Sequence, residues 1–155
     1  MIHKIIFLKE KLVPLLRSIP SDRPPAWGKM TLQQMVEHFS EAVRIAAGKA
    51  GPQQLHTAEE HIPKMQAFIE SDKPFRENTR NPLLPEVPAP VRNKTLNGAL
   101  EALQADINEF FNVFTNNEHH TTLNPIFGDL NYQQNIQLLY KHAVHHLRQF
   151  GVNEW

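Results

Sequence analysis

A chain of 155 residues matches one domain, and a domain of that length buries about 68–70% of the surface its unfolded form exposes, enough for a core without staples. It contains no cysteine, which excludes disulfides, thiolate metal sites and a cysteine nucleophile. Sixteen basic residues balance sixteen acidic ones with no Lys/Arg cluster to track phosphates, so neither a nucleic-acid nor a membrane-surface partner is expected. The opening apolar stretch is broken by Lys9, Glu10 and Lys11 before it can form a signal core. No run approaches the roughly 20 apolar residues of a membrane span, so a soluble cytoplasmic protein is expected.

The first helix is predicted over 3–18, with Ile6, Leu12, Val13, Leu15 and Leu16 as its apolar stripe and Pro14 bending or breaking it. Pro20 and the Ser21–Pro25 cluster end it, and the loop that follows lays Trp27 onto the core. Thr31 and Gln34 spell a capping box. The helix they open runs to about Ala47, where Gly48 and Gly51 stop it. Its inward face is Leu32, Met35, Phe39, Ala42, Val43 and Ala46, with His38 on the edge of that face. A shorter helix fits 57–71, where Ile62, Met65 and Ile69 are roughly in phase. Residues 73–94 carry five prolines and little periodicity. So long a connection is often functional, and here it would cross a bundle end or cover a pocket mouth.

Helical spacing returns from Thr95 to about Thr115, with Leu96, Leu100, Leu103, Ile107, Phe110, Phe111 and Phe114 at steps of three and four. The Asn124–Asp129 stretch reads as a turn-rich loop whose Ile126 and Phe127 plug one end of the core. Asn131 with Gln134 offers a second cap, and the last helix runs from Tyr132 to about Phe150, ended by Gly151. Strand-like alternation is nearly absent. The predicted fold is all-α: four principal helices joined by long connections, in one domain over 1–155.

The last helix carries the most informative pattern. Asn135, Leu138, Leu139, His142, His145, His146 and Gln149 share one broad face, and residues four apart point the same way. His142 and His146 are therefore placed to hold one divalent metal as neutral imidazoles. A third ligand must come from another helix, and His38 is the best candidate. Spacing alone leaves an alternative open, in which the imidazoles are solvated or satisfied by hydrogen bonds to one another, to Asn135 or to Gln149. A zincin is excluded, because that chemistry needs Glu directly after the first His and Ala143 stands there. Glu37 and Glu41 flank His38 but read as a wet helix face. His56, His61, His119 and His120 read as solvent-facing, and Phe110, Phe111 and Phe114 as core. Arg148 reads as a dipole partner at the helix end, with contact to an anionic substrate as the alternative.

Three segments together resemble the DinB/YfiT-like superfamily, whose members are regarded as metalloenzymes. They are Trp27-Gly28-Lys29-Met30-Thr31 with Gln34, Met35 and His38; Asn124-Pro125 with Phe127-Gly128; and His142-x-x-His145-His146-x-x-Gln149-Phe150-Gly151. The resemblance covers nearly the whole chain, is weakest over 50–95, and is nearest to a bacterial branch with no assigned activity. It implies an up-down-down-up four-helix bundle with a metal site near one end. Carried over, the ligands are His38, His142 and His146, His145 is a non-ligating neighbour, and Gln149 supports the site or lines its pocket. Asn124 stands where some relatives carry His, so that loop contributes no ligand here.

The function this implies is that of a metal-dependent enzyme acting on a small molecule. A divalent Zn, Ni, Fe or Mn ion is expected, and the activity would be a thiol S-transferase using a low-molecular-weight thiol, or a hydrolase. The alternative is a non-catalytic metal-binding or structural bundle. Neutral charge and apolar helix edges leave a homodimer through helix packing open.

Overall fold

The computed structural model describes residues 1–79, 81–117 and 119–155. The chain is mostly helical, with a small two-stranded sheet. It opens with α1 (Ile2–Ile6), a π-helical turn (Phe7–Lys11) and α2 (Leu12–Ser18), which run on without a break in helical backbone. Pro14 explains the π turn. The Leu12 amide donates to the Phe7 carbonyl five residues back, and α2 restarts at Leu12. Pro14 follows this wider turn, which accommodates a residue with no N–H to give to the carbonyls of the turn before it. The predicted break is thus absorbed as one wide turn.

The long helix α3 (Leu32–Ala46) starts at a complete capping box, in which the Gln34 amide donates to Thr31 Oγ1 and the Thr31 amide donates to Gln34 Oε1. A short 3-10 turn (Glu59–His61) leads into α4 (Ile62–Glu70), which has proline in its first turn. The helix α5 (Leu96–Thr115) is capped by the Thr95 hydroxyl, which accepts from the Gly98 amide at 3.0 Å. The final helix, α6 (Tyr132–Gln149), opens on a second capping box between Asn131 and Gln134. Gly151 takes φ +84° just beyond it, the left-handed conformation that ends helices at low cost to glycine.

Where a loop was expected, Thr122–Asn124 (β1) and Gly128–Leu130 (β2) pair antiparallel, with Thr122 opposite Leu130 and Asn124 opposite Gly128. Three-residue strands are too short for alternation to appear in sequence. The hairpin is set instead by its turn: Asn124 Oδ1 accepts from the amides of Ile126 and Phe127, and Gly128 supplies φ +79°. Both are turn chemistry.

Side chains of the π turn, α2, α3, α5 and α6 share one core that includes Phe7, Leu16, Phe39, Leu103, Phe110 and Leu147. A smaller cluster of Ile69, Phe127, Leu130 and Leu138 lies on the other side of α6, between α4 and the hairpin. Two apolar contacts therefore clamp α6 from opposite sides. That fixes the rotation of the helix, and with it the direction of His142 and His146.

Among the described residues the 71–95 connection has no regular structure before the helix that follows, yet α3 fastens it. Gln33 Nε2 donates to the Asn93 carbonyl, and Gln34 Nε2 to that of Ala89. Glu37 accepts from the backbone amide and Nε of Arg92, whose Nη2 donates to the Glu37 carbonyl. Glu37 is therefore 6% exposed, not a wet helix face. Glu41, half-exposed, pairs with Arg44 and with the same Arg92. A Glu37→Ala variant is expected to lose about 1–3 kcal/mol, the usual cost of leaving buried partners unsatisfied. Urea unfolding would read the loss, and amide exchange over 85–93 should accelerate. A loss without faster exchange there would mean that Glu37 acts only within α3.

Candidate metal centre

His38 of α3 faces His142 and His146 of α6 across the helix interface. One ring nitrogen from each lies within 4.8 Å of the others. His142 Nε2 is the middle atom, 3.2 Å from His38 Nε2 and 2.8 Å from His146 Nε2. Two imidazole nitrogens each about 2.0–2.1 Å from one ion, at tetrahedral or octahedral angles, stand about 2.8–3.4 Å apart. Both contacts of His142 match that geometry, and the three histidines could hold a divalent metal ion.

Gln149 decides which atoms face the centre. Its Nε2 donates to the Trp27 carbonyl at 2.9 Å, and a carbonyl can only accept, so Gln149 Oε1 is left facing His146 Nδ1 at 2.7 Å. An amide oxygen can only accept in turn. His146 Nδ1 must carry the proton, and the neutral ring turns its Nε2 lone pair toward the centre. This is how a metal-ligating histidine is usually oriented, through the hydrogen bond its other nitrogen makes.

Electrostatics keep the lone pairs available. His146 is 5% exposed, and burial, then the charge of His38, push its pKa down to about 3 against the bond to Gln149. His142 is pushed well below its ordinary value by burial, then by His146, His38 and His145. His38 is lowered by burial and then by His145. All three rings are neutral near pH 7, the form that binds metal. As a metal-free network they fit less well, because one proton on His142 Nε2 cannot serve both neighbouring nitrogens with linear hydrogen bonds.

The remaining histidines stand apart. His145 is not among the three convergent donors; its ring packs against those of His146, Trp27 and Phe75 at centroid distances of 5.1, 5.4 and 5.9 Å. His56, His61 and His119 are exposed, whereas His120 is half-buried against the Phe114 ring at 5.5 Å.

Asn135, expected near the site, is not part of it. Its Nδ2 is placed to donate to Thr122 Oγ1 and to the carbonyls of Leu130 and Asn131. It sits one turn into α6 and ties the hairpin to the helix, about 10 Å of helix rise before His142. Sequence reasoning also missed Phe75, whose ring lies 5.9 Å from those of His142 and His145. Nothing in an irregular proline-rich stretch marks one aromatic as a site wall.

A cavity of about 630 Å³ opens beside His38, walled by α3 and by the 78–92 connection. Apolar Met30, Leu84, Pro88 and Val91 line it together with Gln34 and Asn78. Its size is that of a small-molecule site.

Gln149→Leu is expected to weaken metal affinity about 10–100-fold, the usual effect of losing an orienting partner. It also strands the Trp27 carbonyl and His146 Nδ1, at a cost of about 1–3 kcal/mol. Competition against a chelator and thermal unfolding would read the two effects separately; an unaltered affinity would remove Gln149 from the site.

Among the described residues no helix is long and apolar enough to cross a membrane. Comparison of the chain with protein-family models, with curated proteins and with solved structures finds no match.

Proposed function

We propose that the chain is a metal-dependent enzyme of the DinB/YfiT-like kind, an up-down-down-up bundle in which His38, His142 and His146 hold one divalent ion. A small-molecule substrate would occupy the cavity beside His38. The observation that supports this most directly is the convergence of the three Nε2 atoms, with Gln149 fixing the tautomer of His146. Three protein ligands leave coordination positions open, the pattern of catalytic rather than structural centres. When bound, such an ion supplies Lewis acidity, stabilising the deprotonated form of a coordinated water or thiol.

Ease of ionisation favours thiol transfer over hydrolysis. Among the described residues three carboxylates line the cavity: Glu37 and Glu41, both engaged by Arg92, and Glu86 on the connection. A thiol with an ordinary pKa of about 8.5 needs little help to ionise, whereas bulk water, at about 15.7, needs a far larger shift. A low-molecular-weight thiol entering beside His38 is therefore the preferred nucleophile. Zinc, nickel and iron suit imidazole ligands, whereas manganese is better served by oxygen donors.

Mass spectrometry of protein purified without a His tag and reconstituted with each metal should find close to one equivalent. With cobalt in the site, 2-mercaptoethanol should add a thiolate charge-transfer band. Far less than one equivalent for every metal would end this reading, and metal without the thiol band would return the choice to hydrolysis. The contacts of 2.8 and 3.2 Å between ring nitrogens are also hydrogen-bond lengths, which supports a second reading, a non-catalytic bundle held by a polar network.

A further inference from the structure

A second cavity, of about 440 Å³, lies on the far side of Phe75 and His145, between α1, α6 and the 71–77 segment. Five cations line it: Lys4, Lys73, Arg76, Lys141 and Arg148. Among the described residues only Asp72 and Glu77 oppose them there, a formal excess of three positive charges in a chain whose net charge is zero. None of the five forms an ion pair among the described residues.

Neutral groups hold the two inner cations in place. Lys141 Nζ donates to the carbonyls of Ser71 and Lys73 and lies 4.6 Å from the centre of the Phe68 ring. Lys4 Nζ donates to Gln137 Oε1 and lies 5.2 Å from the centre of the Tyr140 ring. Carbonyls and rings orient an ammonium without cancelling its charge. The positive field therefore stays in the cleft, where low-dielectric walls concentrate it.

The walls add a second preference. Trp27, Phe75, Tyr140 and Trp155 all face the cavity, and rings of this kind take planar groups by stacking. We propose that this cavity is a binding site for a small anion, a carboxylate or phosphate monoester carried on a planar aromatic body. It stands apart from the histidine centre, since it uses none of the three ligands and Phe75 with His145 forms the partition.

Both tryptophans of the chain line this cavity, so intrinsic fluorescence is a direct readout. Phenyl phosphate, benzoate and inorganic phosphate would each be titrated into protein held in EDTA, and again into the metal-reconstituted form. Saturable change is expected with phenyl phosphate or benzoate in both forms, weakened by salt, with inorganic phosphate binding less tightly.

Arg76→Gln with Arg148→Gln changes two exposed side chains that make no hydrogen bond or ion pair among the described residues, so the fold should be retained. This double variant is expected to weaken binding about tenfold, the sum of two modest charge contacts. Lys49→Gln, which removes a charge paired with Glu109 elsewhere on the surface, should leave binding within about twofold, the spread of ordinary surface changes. The proposal is overturned by absence of saturable binding, by binding that requires metal, by equal loss in Lys49→Gln, or by unchanged affinity in the double variant.

Discussion

A His142→Gln variant is expected to lose metal binding while keeping its fold. Its Nε2 is the middle donor, the one atom in close contact with both other nitrogens. Removing it leaves His38 and His146 as a pair from different helices, so the loss should exceed the ~10–100-fold that follows removal of a merely orienting partner. The fold should tolerate the change, because the His142 ring lies between Phe39 and Phe75 and belongs to neither apolar cluster. Glutamine keeps a neutral polar group in that setting, so the desolvation cost changes little. Metal content and chelator competition would show the loss, and the melting temperature of the metal-free variant should stay near that of the parent. A polar network would behave differently: losing its middle member should destabilise the metal-free protein by about 1–3 kcal/mol. One equivalent held as tightly as in the parent would exclude His142 as a ligand.

Long-period features of this fold were legible in the sequence. The four principal helical stretches, both capping boxes and the phenylalanine stripe of α5 rest on rules that act within one or two turns of backbone. What escaped was set by contacts between distant segments. The hairpin could not be read because three-residue strands carry no periodicity, and its signals, Asn124 and Gly128, are also those of any turn. Glu37 lies on a helix position that looks solvent-facing until the 85–93 segment folds over it and delivers Arg92.

The candidate site divides in the same way. An i, i+4 pair states its own geometry, so His142 with His146 needed nothing beyond the helix. His38 required the packing of α3 on α6, and the second capping box helps by fixing where α6 begins. Gln149 is one turn past His146 on the same face, so its place could be read from spacing, whereas its supporting role was what the resemblance implied. Asn135 occupies that face too, but the hairpin reaches it first. Facing inward is a property of the helix alone; what an inward residue meets depends on the segment that covers it.

Acid should unfold the metal-free protein well before it would unfold a bundle of similar size without buried imidazoles. Unfolded, His38, His142 and His146 take up protons near pH 6.5; folded, each binds its proton only at lower pH. Above pH 6.5 both states are neutral at these positions, and they make stability no more dependent on pH. Below it the unfolded chain binds protons that the native one refuses. Stability therefore falls as pH falls, by up to tenfold in the unfolding constant per pH unit for each histidine. For His146 alone, whose folded value is pushed to about 3, the loss accumulates to roughly 5 kcal/mol between pH 6.5 and 3. That rivals the whole stability of many domains, about 5–15 kcal/mol. Urea unfolding in EDTA at pH 7, 6, 5 and 4 should show the decline, with a shallower slope in His142→Gln. Bound metal should add stability at pH 7, about 4 kcal/mol at a thousandfold excess over Kd, and that gain should fade over the same acid range as protons compete for the ring nitrogens. A profile flat from pH 7 to 5 without metal would mean that the imidazoles are protonated as readily in the folded chain as in the unfolded one, and lone pairs so open to water would leave no desolvated centre for a metal to occupy.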